Sequence, residues 1–125
     1  MGYDLHITRT SLEFDGDREW ITAAEWLRLV EEDPELRLAG YNGDHFALWS
    51  GPSQCPDPWL TWRDGRIYSK NPDDPLIEKM IVIAGKLAAH VQGDDGEFYT
   101  WVDGKKSVLP SVTAIKEAQS RHRRR

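Results

Sequence analysis

The sequence predicts an α+β fold: a single domain with a mostly antiparallel sheet of about five or six strands and two main helices on one face. Three observations carry this. Strand-like alternation recurs in short segments separated by Gly, Asn and Asp turn residues. Two segments have helical spacing of apolar residues and start signals. The order is strand, helix, hairpin strands, helix, strands, so neighbouring strands are joined by turns rather than by helical crossovers.

In chain order, Tyr3–Arg9 alternates Tyr3, Leu5 and Ile7 against Asp4, His6 and Thr8, and reads as a first strand. Thr22, with Glu25 three residues on, forms a capping box for a helix over about 23–33, whose apolar side is Ala23, Trp26, Leu27 and Val30. Asp33-Pro34 stops it. Residues 35–40 form a short strand. Asn42-Gly43 is a two-residue hairpin signal leading to a return strand with Phe46 and Leu48 on one side and Ala47 and Trp49 on the other. Pro52, Pro56 and Pro58 exclude regular structure between Gly51 and Pro58. Asp64-Gly65 turns a second hairpin of 59–63 with 66–70. Asp73 or Asp74 caps the second helix, with Pro75 in its first turn. Leu76, Met80, Ile83 and Leu87 head its wide apolar stripe, and Glu78, Lys79 and Lys86 are expected to face outward. His90 is placed at the end of this helix. Val91-Gln92 then opens a strand that turns or bulges at Gly93–Gly96, both glycines being expected at positive φ, and continues as 97–102. Asp103-Gly104 turns again into a short strand, and a terminal helix is expected from Ser111.

The net charge is −5, but the last five residues, RHRRR, hold four of the sixteen basic groups. Residues 1–120 therefore carry twelve basic against twenty-one acidic groups, a net of −9. This divides the chain into an acidic domain, 1–120, and a basic C-terminal tail, 121–125. The acidic body disfavours nucleic acid, for which only the tail is suited, and favours a protein partner with a basic surface. One cysteine, Cys55, permits no internal disulfide, and the apolar uncharged run Met80–Gly85 is far too short to span a bilayer. A cytoplasmic protein without membrane contact is the resulting expectation.

The sequence holds no P-loop, dinucleotide fingerprint, CxxC, GxSxG or HExxH motif, so no catalytic residue, metal or cofactor is assigned and the reading leans away from an enzyme. Asp15, Asp17 and Glu19 alternate without the glycine of a calcium loop. Asp94, Asp95 and Glu97 are three carboxylates in four residues, read as a turn with water-facing acids suited to meeting a basic partner. Of the six Trp, at least four are expected in the core or on the sheet. Trp59 and Trp62, beside Arg63 and Arg66, are assigned as aromatic anchors for a partner.

Over the first strand and residues 59–99, above all in KNPDDP, the helix after it and VQGDDGEFY, the chain resembles a loose group of small bacterial proteins with no established activity. In size, acidity and lack of catalytic motifs it is also similar to immunity proteins, which neutralise a toxin domain by binding it. The resemblance implies a non-enzymatic protein that occludes its target. Two alternatives stand beside it: a small-ligand protein or enzyme with a pocket between the Trp-bearing sheet and the helices, and a module that self-associates through an open sheet face.

Overall fold

The computed structural model describes residues 3–9, 20–93, 96–102 and 105–109. The strands are β1 (Asp4–Thr8), β2 (Leu36–Leu38), β3 (Phe46–Trp49), β4 (Trp59–Arg63), β5 (Arg66–Lys70), β6 (His90–Gly93), β7 (Phe98–Val102) and β8 (Lys105–Leu109). The helices are α1 (Ala23–Glu32) and α2 (Asp74–Lys86). All eight strands form one sheet in the order β2-β3-β4-β5-β1-β6-β7-β8, and each neighbouring pair is antiparallel.

The described residues therefore form an α+β fold with two helices, but their sheet has eight strands, not five or six. The difference lies after α2. The Gly93–Gly96 segment reverses the chain instead of bulging it. Gly93 N–H donates to Glu97 O at 2.8 Å and Gly96 N–H to Gly93 O at 3.0 Å, which separates β6 from β7 as a hairpin. Residues 98–109 make a further hairpin. The expected terminal helix, the 15–19 acidic alternation and the 121–125 tail lie outside the described residues.

Both helix starts follow their local signals. Thr22 Oγ1 accepts from Glu25 N–H at 3.1 Å, and Glu25 Oε1 accepts from Thr22 N–H at 3.1 Å. Asp73 caps α2, and its second oxygen also accepts from Gln54 N–H at 2.7 Å and Ser53 Oγ at 2.9 Å. The cap thus anchors the Pro-rich connection as well. Burial alone would raise the Asp73 carboxyl, but these donated bonds hold it below its ordinary value.

The Asp64-Gly65 turn has both residues at positive φ, 50° and 84°, as a two-residue hairpin of right-handed strands requires. Asn42-Gly43 does not form such a turn. A 3₁₀ turn over Gly40–Asn42 lengthens the β2–β3 connection, and Ala39 N–H closes it on Phe46 O at 2.8 Å.

One face of the sheet carries the core. Leu5, Ile7, Ala47, Leu60, Ile67 and Val91 point to it and pack against Trp26, Leu29 and Val30 of α1 and Leu76, Met80 and Ile83 of α2. The indole N–H groups enclosed there are satisfied. Trp26 donates to His45 O at 2.8 Å, Trp62 to Ile21 O at 2.7 Å and Trp49 to Glu35 Oε1 at 3.1 Å. Trp26 and Trp49 are buried and Trp62 and Trp101 pack against the core, whereas Trp59 lies on the other face and Trp20 is 38% exposed.

Lys79 departs from its outward assignment. Its side chain is only 11% exposed, and its ammonium lies 2.7 Å from both Asp33 Oδ2 and Glu35 Oε1, bridging α2 to the α1–β2 connection. At the other end of the helix pair, Arg9 forms two hydrogen bonds with the Glu25 carboxylate and donates to Leu87 O at 2.8 Å. The Arg9 hydrogen bonds, with the Thr22 N–H, pull the Glu25 carboxyl down to about 2.

The α2 terminus is closed by Ala89 N–H on Ala84 O at 2.8 Å, with exposed Ala88 left-handed at φ 52°. That position normally takes glycine. Relief of the Cβ strain outweighs the added freedom of the unfolded chain, so Ala88→Gly is expected to stabilise by roughly 0.5–1 kcal/mol. Thermal denaturation should show a Tm rise of about 2–4 °C; a fall would refute the strain argument.

Candidate functional site

Strand alternation places Phe46 and Leu48 of β3, Trp59, Thr61 and Arg63 of β4, and Arg66, Tyr68 and Lys70 of β5 on the face away from the helices. This outer face is not uniform. Towards β1, β6 and β7 it is closed: Thr8, Gln92 and Phe98 are 2%, 1% and 4% exposed. Over β3–β5 it is accessible, with Phe46, Trp59, Tyr68 and Arg66 half-buried and Arg63 and Lys70 exposed.

The accessible half carries an aromatic patch. The rings of Phe46 and Trp59 stack with centroids 5.4 Å apart, Tyr68 meets Trp59 edge-on at 5.6 Å, and His6 lies 6.2 Å beyond Tyr68. Two hollows adjoin it. One, of about 760 Å³, is lined by Phe46, Leu48, Trp59, Thr61 and Tyr68, with Tyr41 and Asp57 also lining it. The other, of about 520 Å³, shares Trp59, Arg63 and Tyr68 and adds Arg66 and Lys70 beside Asp4 and His6. A third hollow, of about 530 Å³, lies between the helices, lined by Glu25, Arg28, Leu29, Asp33, Lys86 and Leu87 among others. Two of the three hollows thus lie on the outside of the sheet, beside Trp59.

Arg63 and Arg66 are direct cross-strand partners. Like charges placed opposite each other repel. Arg63 has Asp64 at 3.7 Å, but both side chains are largely exposed, so that pair offsets little. Arg37 of β2 points to the same face and is exposed. From β1 to β5 the described strand positions of this face thus carry Arg37, Arg63, Arg66 and Lys70 against the one carboxylate of Asp4, in a chain whose net charge is −5.

Of the site residues assigned from the sequence, the described ones, Trp59, Trp62 and Glu97, do not come together. Trp59 is on the outer face, whereas Trp62 faces the core and packs against it. Asp94 and Asp95 lie outside the described residues. Glu97 is half-buried and turned towards the helix side, where Tyr3 Oη donates to its Oε2 and Tyr99 Oη lies 3.4 Å from the same oxygen. Its Oε1 is enclosed and has no hydrogen-bond partner among the described residues. Burial first, then the bond to Glu97, push the Tyr3 phenol far above its ordinary range. Gly93 is required beneath this cluster for space rather than for positive φ, because a Cβ there would lie 2.2 Å from Tyr3 Oη and 2.4 Å from Glu97 Oε1. Only Gly96 of the pair has positive φ, 85°.

His90 belongs to β6, not to the helix end, and meets Phe98 edge-on at 5.8 Å. Among the described residues no three His, Cys, Asp or Glu side chains gather as a metal set would require, and no helix is long and apolar enough to cross a membrane. Cys55 is half-buried and unbridged.

Tyr68 and Phe46 escaped the sequence assignment although their strand parity places them beside Trp59. Parity groups residues on a face, but it does not tell which face the helices cover. Comparisons with known proteins add no assignment: no family model, no curated protein and no solved structure matches this chain.

Proposed function

We propose that the protein is a non-enzymatic binding protein that works by occlusion, in the manner of a bacterial immunity protein, with the accessible β3–β5 face as its principal contact surface. The single observation that supports this reading is the aromatic patch of Phe46, Trp59 and Tyr68, left uncovered on a sheet whose other face already holds the core. An apolar patch of this kind beside a hollow and ringed by polar groups suits a protein contact.

The experiment is capture of the partner from the source cell. Trp59→Ala with Tyr68→Ala is expected to reduce affinity at least a hundredfold, two anchors of about 1.5–2 kcal/mol or more each. Circular dichroism and the main unfolding transition should be retained, since neither ring belongs to the buried core cluster. Undiminished capture by the double variant would exclude this face. The carboxylates Asp94 and Asp95, without Glu97, which Tyr3 holds, form a second arm of the same reading. Their joint neutralisation is expected to slow association with a basic partner and to make it less dependent on salt. A uniformly dimeric species in light scattering, lost with the same two ring substitutions, would favour self-association instead.

A further inference from the structure

The chemistry of the accessible face goes further than the existence of a contact surface. Resting on the reading of that face as a binding surface, we infer that it receives an acidic segment of a protein. An apolar side chain of the segment seats over Trp59 and Tyr68, and its carboxylates pair with Arg63, Arg66 and Lys70.

Charge complementarity is the first argument. Arg63 and Arg66 are held opposite each other by the β4–β5 register, an arrangement that repels in the free protein. An anionic group between them removes the repulsion, and two guanidinium forks suit the two oxygens of a carboxylate. The side chains of Arg66 and Lys70 have no hydrogen bond or ion pair among the described residues, so neither must be released from a partner first.

Spacing is the second. Arg66, Tyr68 and Lys70 alternate outward along β5, so successive side chains on this face stand about 7 Å apart. An extended segment laid along the strand repeats at that interval. It would therefore match this row with acid, apolar and acid side chains at every second position. The partner's charge at this face is thus negative, opposite in sign to the basic partner that the chain's net charge favours.

A single-stranded nucleic acid also carries negative charge, but the rings do not suit it. Stacking on successive bases needs separate free ring faces. Here Phe46 and Trp59 are stacked on each other and Tyr68 meets Trp59 by an edge. Asp44 and Asp57 in one hollow and Asp4 and Asp64 in the other would oppose a continuous phosphate backbone, whereas a protein segment can place its carboxylates to avoid them.

The test uses the full chain and three probes, followed by NMR of the Trp59 indole N–H and the Arg63 and Arg66 Nε–H signals. The first probe is a capped peptide with glutamate two positions either side of a central leucine. The second replaces both glutamates by lysine. The third is a dodecathymidylate oligonucleotide. The acidic peptide is expected to move these signals saturably with a Kd on the order of 1 mM, and the lysine peptide to leave them in place. Arg66→Gln is expected to weaken the acidic peptide several-fold, and Arg63→Glu with Arg66→Glu tenfold or more. If the lysine peptide binds there and the acidic one does not, the inference fails while the face remains a binding surface. Tighter binding of the oligonucleotide overturns the inference in favour of nucleic acid. If all three probes leave the signals unmoved, the inference and the reading of the face fail together.

Discussion

Lys79→Met is expected to destabilise the protein by about 3–5 kcal/mol, because it removes the cation from a buried carboxylate and leaves that charge uncompensated. The Asp33 side chain is 5% exposed, and Lys79 Nζ is 2.7 Å from its Oδ2. Burial alone would raise the Asp33 carboxyl. The Lys79 hydrogen bond and the Glu35 N–H, which donates to Oδ1 at 2.9 Å, overcome it and hold the group below its ordinary value. For Lys79, burial opposes the charge and the two carboxylates outweigh it, so its ammonium is held above its usual range.

The pH dependence follows from these directions. A carboxyl lowered in the folded state stabilises above its unfolded value near 4, and that contribution is lost as pH falls through the folded value. A raised lysine stabilises below about 10.4 and loses its contribution as pH rises through the folded value. In the variant the sign at Asp33 reverses: buried without a cation, its carboxyl rises, and acid relieves the cost by protonating it. The gap between wild type and Lys79→Met should therefore be largest near neutral pH and shrink towards pH about 4. Urea unfolding at the two pH values reads this directly. A gap independent of pH would show that lost packing of the lysine stem, not the buried charge, is responsible. Adding Asp33→Asn to Lys79→Met keeps the acceptor for Glu35 N–H and removes the charge, so the double variant should recover part of the loss.

Trp26→Ala is expected to cost a comparable amount, about 3–5 kcal/mol, by a different route. Trp26 is 0% exposed and lies where α1 meets the sheet. Its removal leaves a cavity among side chains fixed by two helices and the sheet. It also deletes the N–H donated to His45 O. Helix α1 has only ten residues, too few to stand alone in water, and is held chiefly by Trp26, Leu29 and Val30. Trp26→Phe separates the two contributions. It retains most of the apolar contact and loses the hydrogen bond, for an expected cost of about 1–3 kcal/mol. Denaturation followed by circular dichroism checks the order, wild type over Phe over Ala. An Ala variant as stable as Phe would mean that the site collapses onto the void.

Much of the fold was legible because its signals are local. Thr22 and Glu25 sit three residues apart, and the capping box they imply is present at that place. Asp73 and Pro75 mark the start of α2, and Asp64-Gly65 marks a turn whose two positive φ angles need little beyond those residues. Alternation sorted Ala47 from Phe46 before any neighbour was known. It failed where two local outcomes were close in energy. Gly93–Gly96 suits a bulge and a hairpin alike, and the pairing of β7 with both β6 and β8 decided for the hairpin. Asn42-Gly43 carries a strong turn signal, yet the β2–β3 register closes the loop at Ala39 and Phe46 instead.

The candidate site was legible only in fragments. Trp59, Arg63 and Arg66 stand out by composition, and Trp62 stood out with them although it faces the core. The carboxylates of residues 94–97 looked like one acidic cluster, but Glu97 is drawn to Tyr3, ninety-four positions away in sequence. A contact over that separation leaves no periodic trace in the chain.

By itself the sequence determined the α+β class, the two helix caps, the Asp64-Gly65 turn and the parity of β1 and β3, because these depend on residues within a turn or two of one another. Tertiary structure alone decided which sheet face the helices cover, that Lys79 turns inward to Asp33 and Glu35, and that Arg63 and Arg66 share the accessible face with Trp59 and Tyr68. Those outcomes depend on how distant segments bury apolar surface together. That free energy belongs to the packed assembly and to no short stretch of the chain.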